Sequence, residues 1–147
     1  MKSSPYSLMA LVLLVFIGCK SDDIDSVILQ STEYRLNAVN GSGITGTATF
    51  TQDSNGSTEV LIQLDDGSST AIHPAFIRFN NANEGGAVAL TLEACECAVS
   101  RTAVTELDTG TAISYDDLLT LDGHISIHES PTDMTVISVA DIGANAN

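Results

Sequence analysis

Three histidines and a closely spaced cysteine pair are the side chains of this chain best suited to hold a metal ion. They are His73, His124, His128, Cys95 and Cys97, and neutral imidazole and thiolate are ligands that zinc and copper accept. His124 and His128 are four residues apart on a predicted strand, so their side chains point to one face of the sheet along with that of Ser126. At roughly 3.3 Å per residue they lie about 13 Å apart, too far to share one ion. We therefore expect no bound metal and no cofactor, and retain the three histidines only as candidate ligands that a second element would have to complete.

Cys95 and Cys97 flank a single glutamate and suit three kinds of chemistry: a soft metal pair, a redox-active disulfide or a small structural disulfide. An exported protein meets an oxidising compartment, which favours the structural disulfide. Residues i and i+2 of a strand point to one side, but their alpha carbons are near the upper distance limit for a bridge. A local turn would be required to close it.

Catalytic motifs are absent from the sequence: there is no Gly-x-Ser-x-Gly elbow, phosphate loop or paired-acid hydrolase pattern. The acid pairs Asp65-Asp66 and Asp116-Asp117, together with Asp122, raise the question of calcium. Their spacing matches no EF-hand or related calcium loop. We interpret them as solvated turn residues and expect the protein not to be an enzyme.

The charge balance is strongly acidic, with 19 acids against 5 bases and a formal net charge of −14. Nucleic-acid binding depends on basic contacts to phosphate, so this composition argues against nucleic acid and against docking on anionic lipid. A cationic partner, a metal ion or simple solubility fits it.

Cys19 follows an apolar run, residues 8–17, and a small residue, with Lys2 the only charge before it. The run is too short to span a membrane, which takes roughly 20 residues, and has the length of a signal-peptide core. Phe16-Ile-Gly-Cys19 resembles the lipobox of bacterial lipoproteins. That resemblance implies that the Cys19 thiol receives a diacylglycerol and that the peptide is cut just before this residue. Two acyl chains at about 0.8 kcal/mol per methylene anchor a protein stably. The alternative is an ordinary secretory signal that is cut elsewhere.

The segment after Cys19 bears on the destination of the protein. Residue 20 is lysine rather than aspartate, so the inner-membrane retention pattern is absent. The acidic pair Asp22-Asp23 is similar to the export tag that carries some lipoproteins to the outer surface. A solvated polar tether is the alternative interpretation of the same residues.

Beyond the tether, β-strand patterns dominate the chain. Residues 44–51 alternate apolar or small residues with threonines, as a half-buried strand does, and turn clusters such as Asn40-Gly-Ser-Gly43 separate the strands. Ser114 and Asp117 form a capping-box pattern that predicts a short helix over Tyr115–Leu119. Short strands with regular turns and no long helical period indicate an antiparallel β-sandwich or barrel.

The stretch from Tyr34 to Asn145 resembles the CHRD domain, named from chordin, in its bacterial secreted form. The matching pieces are Tyr34-Arg-Leu with Gly41–Phe50, His73–Phe79, Glu84–Gly86, Leu107–Leu119, Asp122–His128 and Asp141–Gly143. The resemblance implies a β-sandwich without an agreed enzymatic activity.

Members of that family often carry a His-Pro-x-His-Ile-His run that is similar to the ligand strand of copper/zinc superoxide dismutases. This chain keeps His73 but has Phe76 and Arg78 at the other two positions. On a strand, 76 and 78 share one face and 73 lies on the opposite one. We therefore expect an inherited metal site to be lost, and His73 to be buried with its ring bonded to the backbone.

These observations combine into one prediction of organisation. Residues 1–18 are expected to be a lipoprotein signal peptide, 19–31 a flexible acidic tether, and 32–147 a CHRD-like domain. The predicted fold is all-β, an antiparallel β-sandwich of immunoglobulin-like or superoxide-dismutase-like Greek-key type with one short helix.

The expected function is a non-catalytic binding or structural module at the outer membrane or cell surface. It is held there by lipid on Cys19 and engages an unidentified protein or extracellular ligand. The alternative is a metal-binding protein like a copper/zinc superoxide dismutase.

Overall fold

A computed structural model describes residues 27–65 and 70–147. The elements are β1 (Ile28–Ala38), β2 (Gly46–Asp53), β3 (Thr58–Leu64), β4 (Ile72–Phe79), β5 (Val88–Glu96), β6 (Val99–Val104), α1 (Tyr115–Leu118), β7 (Asp122–Ser130) and β8 (Asp133–Gly143). Strand β1 begins at Ile28 and so takes in residues 28–31, which the sequence assigned to the tether. The signal segment, Cys19 and Asp66 lie outside the described residues. Within the described ranges, no helix is long and apolar enough to cross a membrane.

The strands form a closed antiparallel barrel in the order β1-β2-β3-β6-β5-β4-β7-β8. This corrects the predicted β-sandwich, because a sandwich keeps two separate sheets whereas these strands close into one. Strand β8 pairs with β1 at Asn37–Val139, and β5 pairs with β6 at Glu96–Val99. Within residues 27–65 and 70–147, the predicted all-β class and the one short helix are confirmed. The alternation of apolar and polar residues indicates which face of each strand is buried. Because the strands of a sandwich and of a barrel show the same alternation, this pattern does not distinguish the two folds.

The barrel interior is filled by the alternate apolar residues of its strands. Phe50 of β2, Ile62 of β3 and Ile125 of β7 are fully buried there, and the Tyr34 ring meets Phe50 edge-on at 5.1 Å between ring centroids. Each such side chain contributes roughly 1.5–3 kcal/mol relative to an exposed one. The period-2 pattern read from the sequence is therefore the pattern that fills this core.

The edge of β5 that faces β6 is closed by side chains rather than by a backbone ladder. The Thr91 amide donates to the Asp108 carboxylate at 2.9 Å, and the Glu93 amide donates to Oγ1 of Thr102 at 2.9 Å. The Glu93 carbonyl accepts the Ser100 hydroxyl at 2.6 Å. These bonds satisfy polar groups that an open edge would leave unpaired.

Helix α1 has the capping box that the sequence predicts. The Ser114 hydroxyl accepts from the Asp117 amide, and the Asp117 carboxylate accepts from the Ser114 amide at 2.9 Å. The Ser114 hydroxyl also lowers the pKa of the Asp117 carboxyl by donating to its charged form. Tyr115 and Leu118 are buried on the face that packs onto the barrel.

Candidate functional site

The outer face of β7 carries three polar side chains that are nonetheless buried. Ile125 and Ile127 point into the barrel, so His124, Ser126 and His128 alternate onto the opposite face, where they are only 4, 1 and 3% exposed. Neighbouring strands and the loop of residues 80–86 cover them. Strand period places both histidines and Ser126 on one face, and the structure shows that Ser126 is within hydrogen-bond distance of His128.

A directed chain of hydrogen bonds connects Arg78 to His128. Nε of Arg78 donates to Oγ of Ser126 at 3.1 Å, and Oγ of Ser126 lies 3.1 Å from Nε2 of His128. Nδ1 of His128 lies 2.7 Å from the Met134 carbonyl. Because a guanidinium only donates and a carbonyl only accepts, the network assigns the proton of neutral His128 to Nδ1 and makes Nε2 the acceptor from Ser126. Both ring nitrogens are thereby engaged.

The surroundings of His128 favour its neutral form. Burial lowers the pKa of the imidazole, the Arg78 charge lowers it further, and the hydrogen bond to the Met134 carbonyl opposes them. Phe76 packs edge-on against the imidazole, with 5.2 Å between ring centroids, and the Arg78 guanidinium carbon lies 5.5 Å from the centre of the Phe76 ring. Phe76 and Arg78, which replace the two histidines of the family's ligand strand, therefore pack around His128.

The other two histidines are each tied to a different backbone carbonyl. Nδ1 of His73 lies 3.0 Å from the His128 carbonyl, which is the buried backbone hydrogen bond expected for that residue. Nδ1 of His124 lies 2.7 Å from the Asn80 carbonyl. Among residues 27–65 and 70–147, no group of three or more His, Cys, Asp or Glu side chains is placed to hold a metal ion.

Those calcium candidates that the structure describes have separate partners. Asp117 caps α1, Asp65 lies 3.8 Å from the Arg35 guanidinium, and Asp122 accepts from the Asn145 side-chain amide. They do not converge on a common point.

A cleft of about 530 Å³ opens onto the outer face of β7 and β8. Its polar lining residues are Arg78, His124, Ser126 and His128, its apolar ones include Val39, Met134, Val136 and Val139, and the loop adds Ala82, Asn83, Gly85 and Gly86. Val139 and Val136 pair with Ser126 and His128 across β7 and β8, so the polar wall and the valine wall lie side by side. The volume lies within the roughly 300–1,000 Å³ range of small-molecule sites, and such sites combine apolar walls with a few placed polar groups.

Arg78 brings a positive charge to this cleft. Arg35 and Arg101 each pair with a carboxylate, whereas within the described residues Arg78 has no carboxylate within ion-pair distance. Asp141 lies on β8 in the same cross-strand row: Arg78 pairs with His124 of β7, and His124 pairs with Asp141. The Asp141 carboxylate accepts the Ala82 amide at 2.7 Å. The sequence indicated only that Arg78 replaces a histidine of the family's ligand strand. Its link to Ser126 depends on the register of β4 against β7, which the sequence does not display.

The two cysteines of the β5–β6 hairpin occupy different environments. Cys95 is buried in the core and Cys97 is exposed, and both thiols are free. Cys97 and Ala98 have φ values of 50° and 68° and form the two-residue turn of the hairpin, which matches a type I′ turn. The expected local turn is therefore present, and the disulfide between the two cysteines stays a prediction.

No family model, no curated protein and no solved structure matches this chain.

Proposed function

We propose that the protein is a non-catalytic binding module, held at the outer membrane or cell surface by lipid on Cys19, and that its ligand binds in the cleft beside Arg78. The observation that carries the proposal is the fixed polar wall of that cleft, where Arg78, Ser126 and His128 hold one another in place. A wall that is already ordered loses little conformational entropy when a ligand arrives.

The envelope location in this proposal is supported by the sequence. The short apolar run, the lipobox-like Phe16–Cys19 and the acidic residues that follow are what a surface lipoprotein requires. The resemblance of residues 34–145 to the CHRD domain is consistent with an extracellular ligand or protein partner. The net charge of −14 argues against nucleic acid.

The Ser126–His128 pair supports a structural rather than a catalytic role. A separation of 3.1 Å suits a nucleophile and its base. However, Ser126 is 1% exposed, and its oxygen already accepts the Arg78 hydrogen bond. The pair therefore serves to position Arg78.

The metal-binding alternative has less support from the described residues. Every imidazole has its Nδ1 close to a backbone carbonyl, and Nε2 of His128 is engaged by Ser126. His128 could ligate an ion through Nε2 only if its bond to Ser126 broke.

A fragment screen followed by nuclear magnetic resonance tests the binding proposal. The whole chain carrying Cys19→Ser is titrated with a panel of anionic, neutral and cationic fragments. We expect at least one class to shift the His124 ring and the Gly85 and Gly86 amides, which line the cleft, and to leave the His73 ring unchanged.

A cleft-filling variant supplies the matched control. Val139→Trp fills the apolar wall and should abolish the shifts, whereas Leu61→Trp, on the outer face of β3, should leave them intact. A folded protein in which no fragment class affects the cleft residues would reject the binding-module proposal.

A further inference from the structure

We infer that the ligand of the cleft is an organic carboxylate with an apolar body, its carboxylate bound by Arg78 and its body packed on the valine wall. This inference rests on the proposed binding function and names the chemistry of the ligand.

The guanidinium of Arg78 is anchored on one side and available on the other. Nε is used by Ser126, and Nη1 donates to the Gly86 carbonyl at 3.1 Å. The Nη2 amino group has no hydrogen-bond partner among the described residues. The two bonds orient the planar group. Because Nε is taken, the parallel N–H groups left to bind a carboxylate are those of Nη2 and the second hydrogen of Nη1.

The local electrostatics also favour an anion at this point. The groups that face Arg78 from the packed elements are His124 and His128 of β7 and the Phe76 ring on its own strand. Burial and the Arg78 charge lower the pKa of His128 and favour its neutral form. The imidazole therefore neither neutralises the Arg78 charge nor adds a second positive charge. Asp141 lies one strand farther, and one of its oxygens is taken by the Ala82 amide. A half-buried cation without a partner is unfavourable, and a carboxylate ligand would supply the counter-charge.

The apolar side of the cleft selects the rest of the ligand. Val136 and Val139 lie on β8, two strands from Arg78 on β4, and with Val39 and Met134 they give the cleft its apolar surface. A ligand that carries charge at one end and hydrocarbon at the other satisfies both walls together. An inorganic anion would leave the valine side chains exposed to solvent, and a neutral hydrocarbon would leave Arg78 without a counter-charge.

This chemistry has two sources, a free organic acid or the terminal carboxylate of a peptide. Calorimetric titration of the whole chain carrying Cys19→Ser separates them with four probes: 3-phenylpropionate, its amide, the peptide acetyl-Ala-Ala-Leu as the free acid, and that peptide as the amide. We expect each acid to bind at least about tenfold more tightly than its own amide, because only the acid pairs with the guanidinium. The tighter of the two acids then identifies the source.

Three variants assign the effect to Arg78. Arg78→Gln should weaken acid binding about tenfold or more, and Arg78→Lys should also weaken it because an ammonium lacks the planar fork. Arg101→Gln removes an exposed arginine that is paired with Glu59 and should leave the affinity within about twofold. If Arg78→Gln does not fold, Val139→Trp keeps Arg78 and should still abolish binding.

The possible outcomes distinguish failure of the carboxylate assignment from failure of the proposed binding function. Equal binding of acid and amide, or a preference for cationic fragments, would overturn the carboxylate assignment while the cleft still binds a ligand. Absence of binding by every fragment class would reject the binding function itself.

Discussion

His128 illustrates how burial turns a side chain into a pH-dependent contributor to stability. Its pKa is lowered from the ordinary value of 6.5 in the folded protein, so the unfolded chain binds the proton more readily. Stability from this residue is therefore present above about pH 6.5 and is lost as the pH falls below it. Urea unfolding between pH 7.5 and pH 5 should show a declining free energy, with a smaller decline in His128→Gln. Identical pH profiles for the two proteins would contradict the assignment.

The cysteines give a second prediction at the same scale. Burial raises the pKa of the Cys95 thiol to about 12, and the thiolate is the reactive form. When the native protein is kept reduced, a thiol reagent should therefore modify Cys97 quickly and Cys95 only after unfolding, as mass spectrometry of digested peptides would show. Cys97→Ser is the control that removes the fast reaction. A native protein with no reactive thiol before reduction would instead establish the disulfide.

At the scale of the elements, alanine substitutions at two glycines with positive φ measure the cost of a left-handed backbone with and without a steric clash. Gly143 (φ +58°) ends β8, and an added Cβ would lie 2.2 Å from the Leu121 carbonyl oxygen. Gly110 (φ +81°) has no atom within 4 Å of that position. Each alanine substitution costs about 1–2 kcal/mol for the left-handed backbone, and Gly143→Ala should cost about 1–3 kcal/mol more because the carbonyl must move. Chemical unfolding measures both, and equal losses would show that the chain relaxes around the new methyl group.

The same scale shows what a sequence can and cannot specify. The alternation in β2 and the Ser114–Asp117 cap were predictable because each rests on residues a few positions apart. Barrel closure rests on short pairings such as Asn37–Val139, whose partners are distant in sequence and carry no local signal. The candidate site divides in the same way. The shared face of His124 and His128 follows from strand period, but the Arg78–Ser126 bond joins residues 48 apart and exists only in one strand register.

At the scale of the whole molecule, the proposal requires that the chain be attached to a membrane through Cys19. Cells fed labelled palmitate should incorporate the label into the wild type and not into Cys19→Ser, because the labelled chains are attached through a diacylglycerol on the Cys19 thiol. Cys97→Ser is the matched control, since it removes another exposed thiol and should keep the label. Equal labelling of the wild type and Cys19→Ser would reject the anchor.

Exchange of backbone protons with solvent should distinguish the two edges of β5. The amides of Leu90 and Leu92 alternate with those of Thr91 and Glu93, so they face β4, where Leu90 pairs with Ile77 and Leu92 with Ala75. The Thr91 amide donates to the Asp108 carboxylate and the Glu93 amide donates to the Thr102 hydroxyl. Rotation of the Asp108 or Thr102 side chain would therefore break each bond without separating any strands. Deuterium should therefore enter at Thr91 and Glu93 well before Leu90 and Leu92, and Thr102→Val should speed the Glu93 amide alone. Local opening of this barrel would then begin along the line between β5 and β6, on the timescale of side-chain motion rather than of unfolding.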